Sequence, residues 1–167
     1  MLIDKSIQIF IALAALSFIT PSAQAAENFA VQPIAKSERC PVCGMYPAHF
    51  PQWHTQIVFK DGEHSSFDSA ADMFRFIHNM TKYDKKHVAA DIGKIFVPAY
   101  DKGGWLDARQ AFFVAGSTVQ GPMGSDLPAF ASRGEAIRLS QKSGGKVFSF
   151  DQITPAVVNG SNHEHAH

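Results

Sequence analysis

Two stretches of the sequence, FDSAADMFRF (67–76) and FASRGEAIRL (130–139), align without gaps at an offset of 63 residues. Each starts with Phe, has a Ser at its third position, an acidic residue three positions later and an Arg at its ninth position. Each stretch also follows strand-like sequence and precedes a predicted strand, at 94–100 and at 146–150. We interpret the pair as two repeated ββαβ-like units, which predicts an α+β fold. Chance similarity between two amphipathic helices is the alternative, and ten aligned positions leave it open.

Two helices are predicted within these units, over 68–80 and 132–145. Ser69 is the N-cap candidate of the first helix, and Asp72 follows it in the position of a weak capping box. Ser132 and Glu135 give the second helix the full S-x-x-E pattern, and a Gly stands where that helix is expected to end.

Strand-forming residues predict two hairpins. The first is HTQIVFKDGEHSSF (54–67), in which the Asp-Gly pair favours a two-residue turn. The second joins KIFVPAYD (94–101) to WLDARQAFFVAG (105–116) through a Gly-rich turn. The segment that follows, 117–130, is rich in Gly and Pro and is predicted to be mostly loop.

Composition limits the class of protein. The chain has 167 residues, of which 46% are hydrophobic and 14 are Phe, so it can bury a sizeable core. The formal net charge is zero and the calculated pI is about 7.1. Binding to nucleic acid or to an anionic membrane requires a basic excess, so neither is expected.

The N-terminus has the pattern of a secretory signal peptide. Lys5 precedes an apolar run over 7–19, and Ala23-Gln24-Ala25 provides the A-x-A cleavage site. We therefore predict a signal peptide over 1–25 and a soluble periplasmic protein after cleavage; an uncleaved membrane anchor is the alternative. Residues 26–39 are predicted to form a polar linker.

The stretch CPVCGMYP (40–47) contains both cysteines of the chain, Cys40 and Cys43. A catalytic redox pair requires a helix after the motif, which the following Gly and Pro residues disfavour. Zinc would require two further ligands, for which His49 and His54 are the nearest candidates. A disulfide between the two cysteines is also open, although closing so short a loop stabilises little.

A soft-metal site is the remaining reading of this motif. Cys43 and Met45 stand two residues apart around Gly44, and residues two apart in extended backbone point to the same side. A thiolate combined with a thioether selects Cu(I) over harder ions. Met123, in the loop GPMG (121–124), is a candidate third ligand.

The C-terminal segment 158–167 is rich in His. His163, His165 and His167 alternate, so they predict a weak auxiliary site for Cu(II) or Zn(II). An exposed tail without a metal role is the alternative.

Four motifs together resemble the NosL family, the copper-binding accessory proteins of nitrous oxide reductase. They are CPVCGMYP, YDKGGWLDARQAFFVAGS, GPMG and GGKVFSFD, and the resemblance covers 39–153. It implies a fold of two ββαβ units similar to the organomercurial lyase core. It also implies that Cys43, Met45 and Met123 bind Cu(I), while Cys40 is either a ligand or the disulfide partner of Cys43.

The resemblance leads to a functional prediction. The expected protein is a periplasmic Cu(I) chaperone, not an enzyme, that delivers copper to a cuproenzyme, with nitrous oxide reductase the expected acceptor. Its domains would be a first unit over 40–93 and a hairpin with a second unit over 94–157. Many family members are lipoproteins, but no Cys follows the predicted cleavage site, so no lipid anchor is expected. The alternatives are a thiol–disulfide oxidoreductase using Cys40 and Cys43, or a copper-buffering or resistance protein.

Overall fold

The computed structural model describes residues 29–160 of the chain. The predicted signal peptide and the tail histidines His163, His165 and His167 lie outside the described residues. The strands are β1 (Thr55–Phe59), β2 (His64–Phe67), β3 (Ile92–Pro98), β4 (Trp105–Asp107), β5 (Phe112–Ala115), β6 (Gln120–Gly121), β7 (Gly124–Ser125), β8 (Ala129–Phe130) and β9 (Lys146–Ser149), and the α-helices are α1 (Ala70–His78), α2 (Met80–Tyr83), α3 (Arg133–Ser143) and α4 (Pro155–Gly160).

The strands form two antiparallel sheets and a small separate hairpin. The first sheet has the order β2-β1-β3-β4, the second has the order β8-β5-β9, and in the described part of the chain β6 pairs with β7 alone. In both sheets a central strand is flanked on one side by the strand before a helix and on the other by the strand after it. The helix and strand content confirms the predicted α+β class. The division into two repeated ββαβ units stays a prediction.

The boundary predicted between 93 and 94 falls inside β3. This strand begins at Ile92 and pairs with β1, so it belongs to the first sheet. The predicted strand over 105–116 is also divided in two. The Asp107 side chain accepts a hydrogen bond from the Arg109 amide and starts a short 3₁₀ turn, Ala108–Gln110. Because of this turn, β4 stays in the first sheet and β5 enters the second.

The first predicted hairpin has a longer turn than the two residues expected. The Phe59 amide donates to the Glu63 carbonyl at 2.8 Å, which leaves three residues in the turn. Gly62 has a φ of 88°, a left-handed conformation that favours Gly.

Both predicted helix N-termini are present. Ser69 accepts a hydrogen bond from the Asp72 amide at the start of α1. Ser132 and Glu135 form a complete capping box at the start of α3. The first helix ends earlier than expected, at His78, because Asn79 leaves helical geometry with a φ of −146°.

The core lies between the two sheets and α1. Phe74 of α1 is 1% exposed, and its ring meets the ring of Phe113 in β5 edge-on, with 5.1 Å between the ring centroids. Its neighbours Met73 and Phe76 are equally buried. Burying a large apolar side chain stabilises a fold by about 1.5–3 kcal/mol, so α1 is held firmly where its first turn faces the cysteine motif.

Part of the predicted linker is attached to the first sheet. Residues 29–39 contain no helix or strand, as expected. The buried amide of Gln56 in β1 nevertheless bonds to both the amide and the carbonyl of Gln32. A fully buried amide requires such partners, which explains why the segment lies along β1. Within 29–160, no helix has the length and hydrophobicity needed to cross a membrane.

Candidate metal site

The cysteine motif forms a closed loop. The Cys40 amide donates to the Met45 carbonyl at 2.8 Å, and the Gly44 amide donates to the Cys40 carbonyl at 2.9 Å. Arg39 secures the loop from outside by donating to the Gly44 carbonyl at 2.9 Å. Gly44 has a φ of 79°, so Cys43 and Met45 flank a left-handed turn and not the extended backbone expected from the sequence.

Each cysteine faces a buried carboxylate from the start of α1. The Cys43 thiol donates to Oδ1 of Asp68 at 3.0 Å, and the Cys40 thiol donates to Oδ2 of Asp72 at 3.5 Å. One ligand atom from each of these four residues lies within 4.8 Å of the others, a spacing that suits a metal ion. The two thiols are free, so the disulfide alternative does not describe this structure.

Both thiols are held in the protonated form. Burial raises the pKa of Cys43 far above its usual range, and the hydrogen bond to Asp68 raises it further. Burial also raises the pKa of Cys40, to about 11. A thiol of this kind is a weak nucleophile at neutral pH, which disfavours the oxidoreductase reading.

Backbone amides act against the rise in pKa at both cysteine sulfurs. The Met45 amide lowers the pKa of Cys43, and the amides of Val42 and Cys43 lower that of Cys40. These N–H groups stabilise a thiolate after its proton has left. The amides therefore offset part of the effect of burial, and the same N–H groups would stabilise a metal-bound thiolate.

One carboxylate oxygen at the site has no hydrogen-bond donor among the described residues. It is the Oδ2 atom of Asp68, a residue that is fully buried. Asp72 is better satisfied, because its Oδ1 atom accepts a bond from Arg75 at 2.6 Å. A buried carboxylate oxygen without a partner is costly. A cation bound close to the two sulfurs would stabilise the Oδ2 atom of Asp68.

Met123 lies on the small β6–β7 hairpin. Its side chain is 56% exposed, whereas that of Met45 is partly buried. The residue that follows β7, Asp126, accepts a hydrogen bond from the Ala71 amide in the first turn of α1 at 3.0 Å. The base of the hairpin is therefore bonded to the same helix turn as the site. The assignment of Cys43, Met45 and Met123 as ligands stays a prediction.

Comparison with known proteins gives the family. Residues 30–158 match the NosL family model. The chain belongs to the NosL family. The copper-binding lipoprotein NosL of Stutzerimonas stutzeri is 32% identical over 147 residues, which cover 81% of this chain and 77% of that protein. The copper-binding lipoprotein NosL of Achromobacter cycloclastes is 40% identical over 57 residues, which cover 34% and 30% of the two chains.

A solved NosL structure supports the same family. The crystal structure of the copper chaperone NosL from Shewanella denitrificans matches with a TM-score of 0.64 at 28% identity, over 76% of this chain and 97% of that one. The resemblance to NosL stated from the sequence motifs is thus confirmed, as is the expectation of a protein that is not an enzyme. The NosL match includes both cysteines and Met123, and it ends before the three tail histidines.

The two histidines considered as zinc ligands, His49 and His54, are not part of the cysteine site. Among the described residues, the metal-sized group around the cysteines contains no His. His49 is exposed, and His54 stacks on Trp105 with the ring centroids 4.7 Å apart. Burial lowers the pKa of His54, which keeps its ring neutral.

A second group of possible ligands, Asp61, Glu63 and His87, lies outside the cysteine site. Lys86 bonds to both carboxylates of this group, at 2.9 Å to Asp61. His87 bonds to Asp84 through Nδ1 at 2.8 Å and to Asp61 through Nε2 at 3.2 Å. The negative charges are already paired with cationic side chains, so we interpret this group as an ion-pair network.

The sequence analysis missed the two aspartates of the site, Asp68 and Asp72, and also Asp126, which bonds to the same helix turn. One signal was available, since Asp72 occupies the position where Glu135 closes the capping box of α3. In α1 the Asp72 side chain does not return to its N-cap, and it bonds to Arg75 and Cys40 instead. Two acidic residues in matching positions thus differ in use, because only the one in α1 faces the cysteine loop.

Proposed function

We propose that this chain binds Cu(I) as cargo and delivers it to a copper enzyme, with nitrous oxide reductase the expected acceptor. In this proposal Cys43 binds as a thiolate, and Met45 and Met123 add neutral thioethers. The observation that most directly supports this proposal is the hydrogen bond from the Cys43 thiol to buried Asp68, whose second carboxylate oxygen has no hydrogen-bond partner within residues 29–160. The names of the relatives, copper-binding lipoproteins and a copper chaperone, support the choice of metal.

The charges of the site suit a monovalent ion. Copper(I) that replaces the Cys43 proton leaves the charge of the site unchanged, and it stands beside the carboxylates of Asp68 and Asp72. Sulfur ligands select Cu(I), whereas zinc usually takes four nitrogen or sulfur ligands that converge in one place. Cys40 is 2% exposed and lies deeper than Cys43, so it is the less favourable of the two sulfurs for an ion that must leave.

Differences in exposure suggest how the ion leaves. Met123 is 56% exposed, Cys43 is partly exposed, and the carboxylates below are buried. A receiving protein can therefore approach from the side of the hairpin, and its ligands can replace Met123 first. Two or three soft ligands form no rigid cage, so exchange of the ion does not require the fold to open.

The proposal includes export to the periplasm as an unanchored protein. The predicted signal peptide supports export. The two relatives are named as lipoproteins, but both cysteines of this chain lie in the closed loop, and Cys40 is buried. A lipid chain attached at either sulfur would disrupt the site. Membrane fractionation of cells that express the full chain tests this point, with a soluble periplasmic pool as the expected result.

A competition titration tests the ligand set. The reduced protein without its signal is titrated with Cu(I) against a chromogenic chelator, beside Cys43→Ser, Met45→Ala, Met123→Ala and Cys40→Ser. We expect one tightly bound ion in the parent, near-complete loss in Cys43→Ser, and weaker binding in both Met variants. Met80→Leu, which removes a buried sulfur from α2, is the matched control and should bind as the parent does. Unchanged affinity in Cys43→Ser would refute the proposal.

A transfer assay tests the delivery step. Copper-loaded protein is mixed with copper-free nitrous oxide reductase, and the copper content of each is measured after separation. We expect copper to move to the reductase faster from the loaded protein than from an equal concentration of the Cu(I)–chelator complex. Copper that stays on the loaded protein would contradict delivery while leaving the binding site intact.

A further inference from the structure

Asp126 is a buried carboxyl group that the ligand set does not use. It is 2% exposed, and its Oδ1 atom accepts two backbone hydrogen bonds, from Ala71 at 3.0 Å and from Leu127 at 2.7 Å. Within 29–160 its Oδ2 atom has no hydrogen-bond partner. Ala71 lies 55 positions earlier in the chain, so this carboxyl joins two distant segments.

One of these segments is the hairpin that carries Met123. Gly121, the last residue of β6, lies directly on Asp126: a Cβ atom there would come within 2.6 Å of Oδ2 and 2.8 Å of the Asp126 Cβ. Met123 follows Gly121 by two positions and precedes Asp126 by three. The tip of the hairpin is therefore short, and its base rests on the carboxyl.

The other segment is the first turn of α1. Ala71 stands between Asp68 and Asp72, the two carboxylates that accept the cysteine thiols. The Asp126 hydrogen bond thus connects the hairpin to the part of the helix that holds the cysteine site. Among residues 29–160, β6 and β7 pair with each other and with no strand of the two larger sheets. A two-stranded hairpin alone is marginally stable, so contacts such as the one to Asp126 help to fix its orientation.

We propose that Asp126 is a positioning residue that holds the Met123 hairpin against α1 and thereby places the Met123 sulfur at the copper ion. The inference rests on the proposed function, since it assumes that Met123 is a ligand. Asp126 itself does not touch copper in this proposal. Its effect passes through the hairpin, and it disappears when Met123 is removed.

A double-mutant comparison tests the inference. Cu(I) affinity is measured by chelator competition for Asp126→Ala, Met123→Ala and the double variant, and the number of sulfur ligands is measured by X-ray absorption. Loss of a residue that orients a ligand typically weakens metal binding by about tenfold or more. We expect Asp126→Ala to lose affinity and one sulfur ligand. The double variant should bind no more weakly than Met123→Ala alone.

Three further variants separate positioning from general stability. Asp126→Asn keeps an oxygen that accepts both backbone bonds, so it should retain affinity close to the parent. Gly121→Ala should weaken binding as Asp126→Ala does, because its methyl group pushes the hairpin away from an intact carboxyl. Asp107→Ala removes a similar backbone-capping carboxylate from β4 and should leave copper binding unchanged.

The outcomes are distinct. Parent-like affinity in both Asp126→Ala and Gly121→Ala would overturn the inference, as would a double variant whose loss is the sum of the two single losses. If Met123→Ala binds as the parent does, the proposed ligand set itself is wrong. If Asp126→Ala does not fold, Gly121→Ala decides the question with the carboxyl in place.

Discussion

The dependence of copper affinity on pH follows directly from the state of the two thiols. Burial raises the pKa of both Cys43 and Cys40, the latter to about 11, so both carry protons at neutral pH. A cysteine binds metal as the thiolate, so copper must displace a proton from each sulfur that it uses. Affinity should therefore rise with pH.

The slope of the logarithm of Cu(I) affinity against pH shows how many thiols bind the ion as thiolates. Each displaced proton changes the apparent affinity about tenfold per pH unit, so one thiolate gives about a hundredfold change over two pH units and two thiolates give about ten-thousandfold. We expect the slope of one thiolate, from Cys43, in the parent and in Cys40→Ser alike. A slope that falls from two protons to one in Cys40→Ser would make Cys40 a ligand as well.

The assay is the chelator competition repeated between about pH 6 and pH 8. This range lies well below the pKa values of both thiols. The chelator is calibrated at each pH, because it binds protons too. Cys43→Ser serves as the baseline. An affinity that does not change with pH in the parent would refute the reasoning, since it would mean that copper displaces no proton.

Two further predictions concern stability and the use of the helix caps. Burial raises the pKa of Asp126 to about 7 from 3.8, so the folded state holds this proton more tightly than the unfolded state. The resulting stabilisation is complete below about pH 3.8 and is lost as the pH rises through about 7. In denaturant titrations over this range, the free energy of unfolding of the parent should fall by up to about 4 kcal/mol. Asp126→Asn should remove that fall. Ser69→Ala and Ser132→Ala should each lower the free energy of unfolding by about 1 kcal/mol, because each removes a helix N-cap. Only Ser69→Ala should also weaken Cu(I) binding, since α1 carries the site, and equal copper affinities in the two variants would contradict this.

Local sequence patterns predicted most of the secondary structure. The N-caps of α1 and α3 are where Ser69 and Ser132 place them, because a cap depends on residues within one helical turn. The errors arose where longer contacts decided the outcome. The strand predicted over 105–116 divides at the Asp107 turn, and its two parts pair with strands from different sheets. Pairing partners of this kind cannot be read from propensity.

The cysteine motif could be recognised from sequence, but its surroundings could not. Sulfur ligand types and their spacing already favoured a soft metal at Cys43 and Met45. The left-handed Gly44 and the protonated thiols required the folded loop and its burial. The pKa of a group depends on neighbours in space, and Asp68 lies 25 positions from Cys43 in the chain.

The sequence by itself determined the N-termini of α1 and α3 and the family motifs, because these depend on short-range patterns of side chains. Tertiary structure alone decided what the acidic residues do. Glu135 closes a helix cap, whereas Asp72, in the matching position, serves the cysteine site, and Asp126 ties a distant hairpin to the same helix turn. A carboxylate bonds to whichever donor packing brings within reach, and packing is settled only when the whole chain has folded.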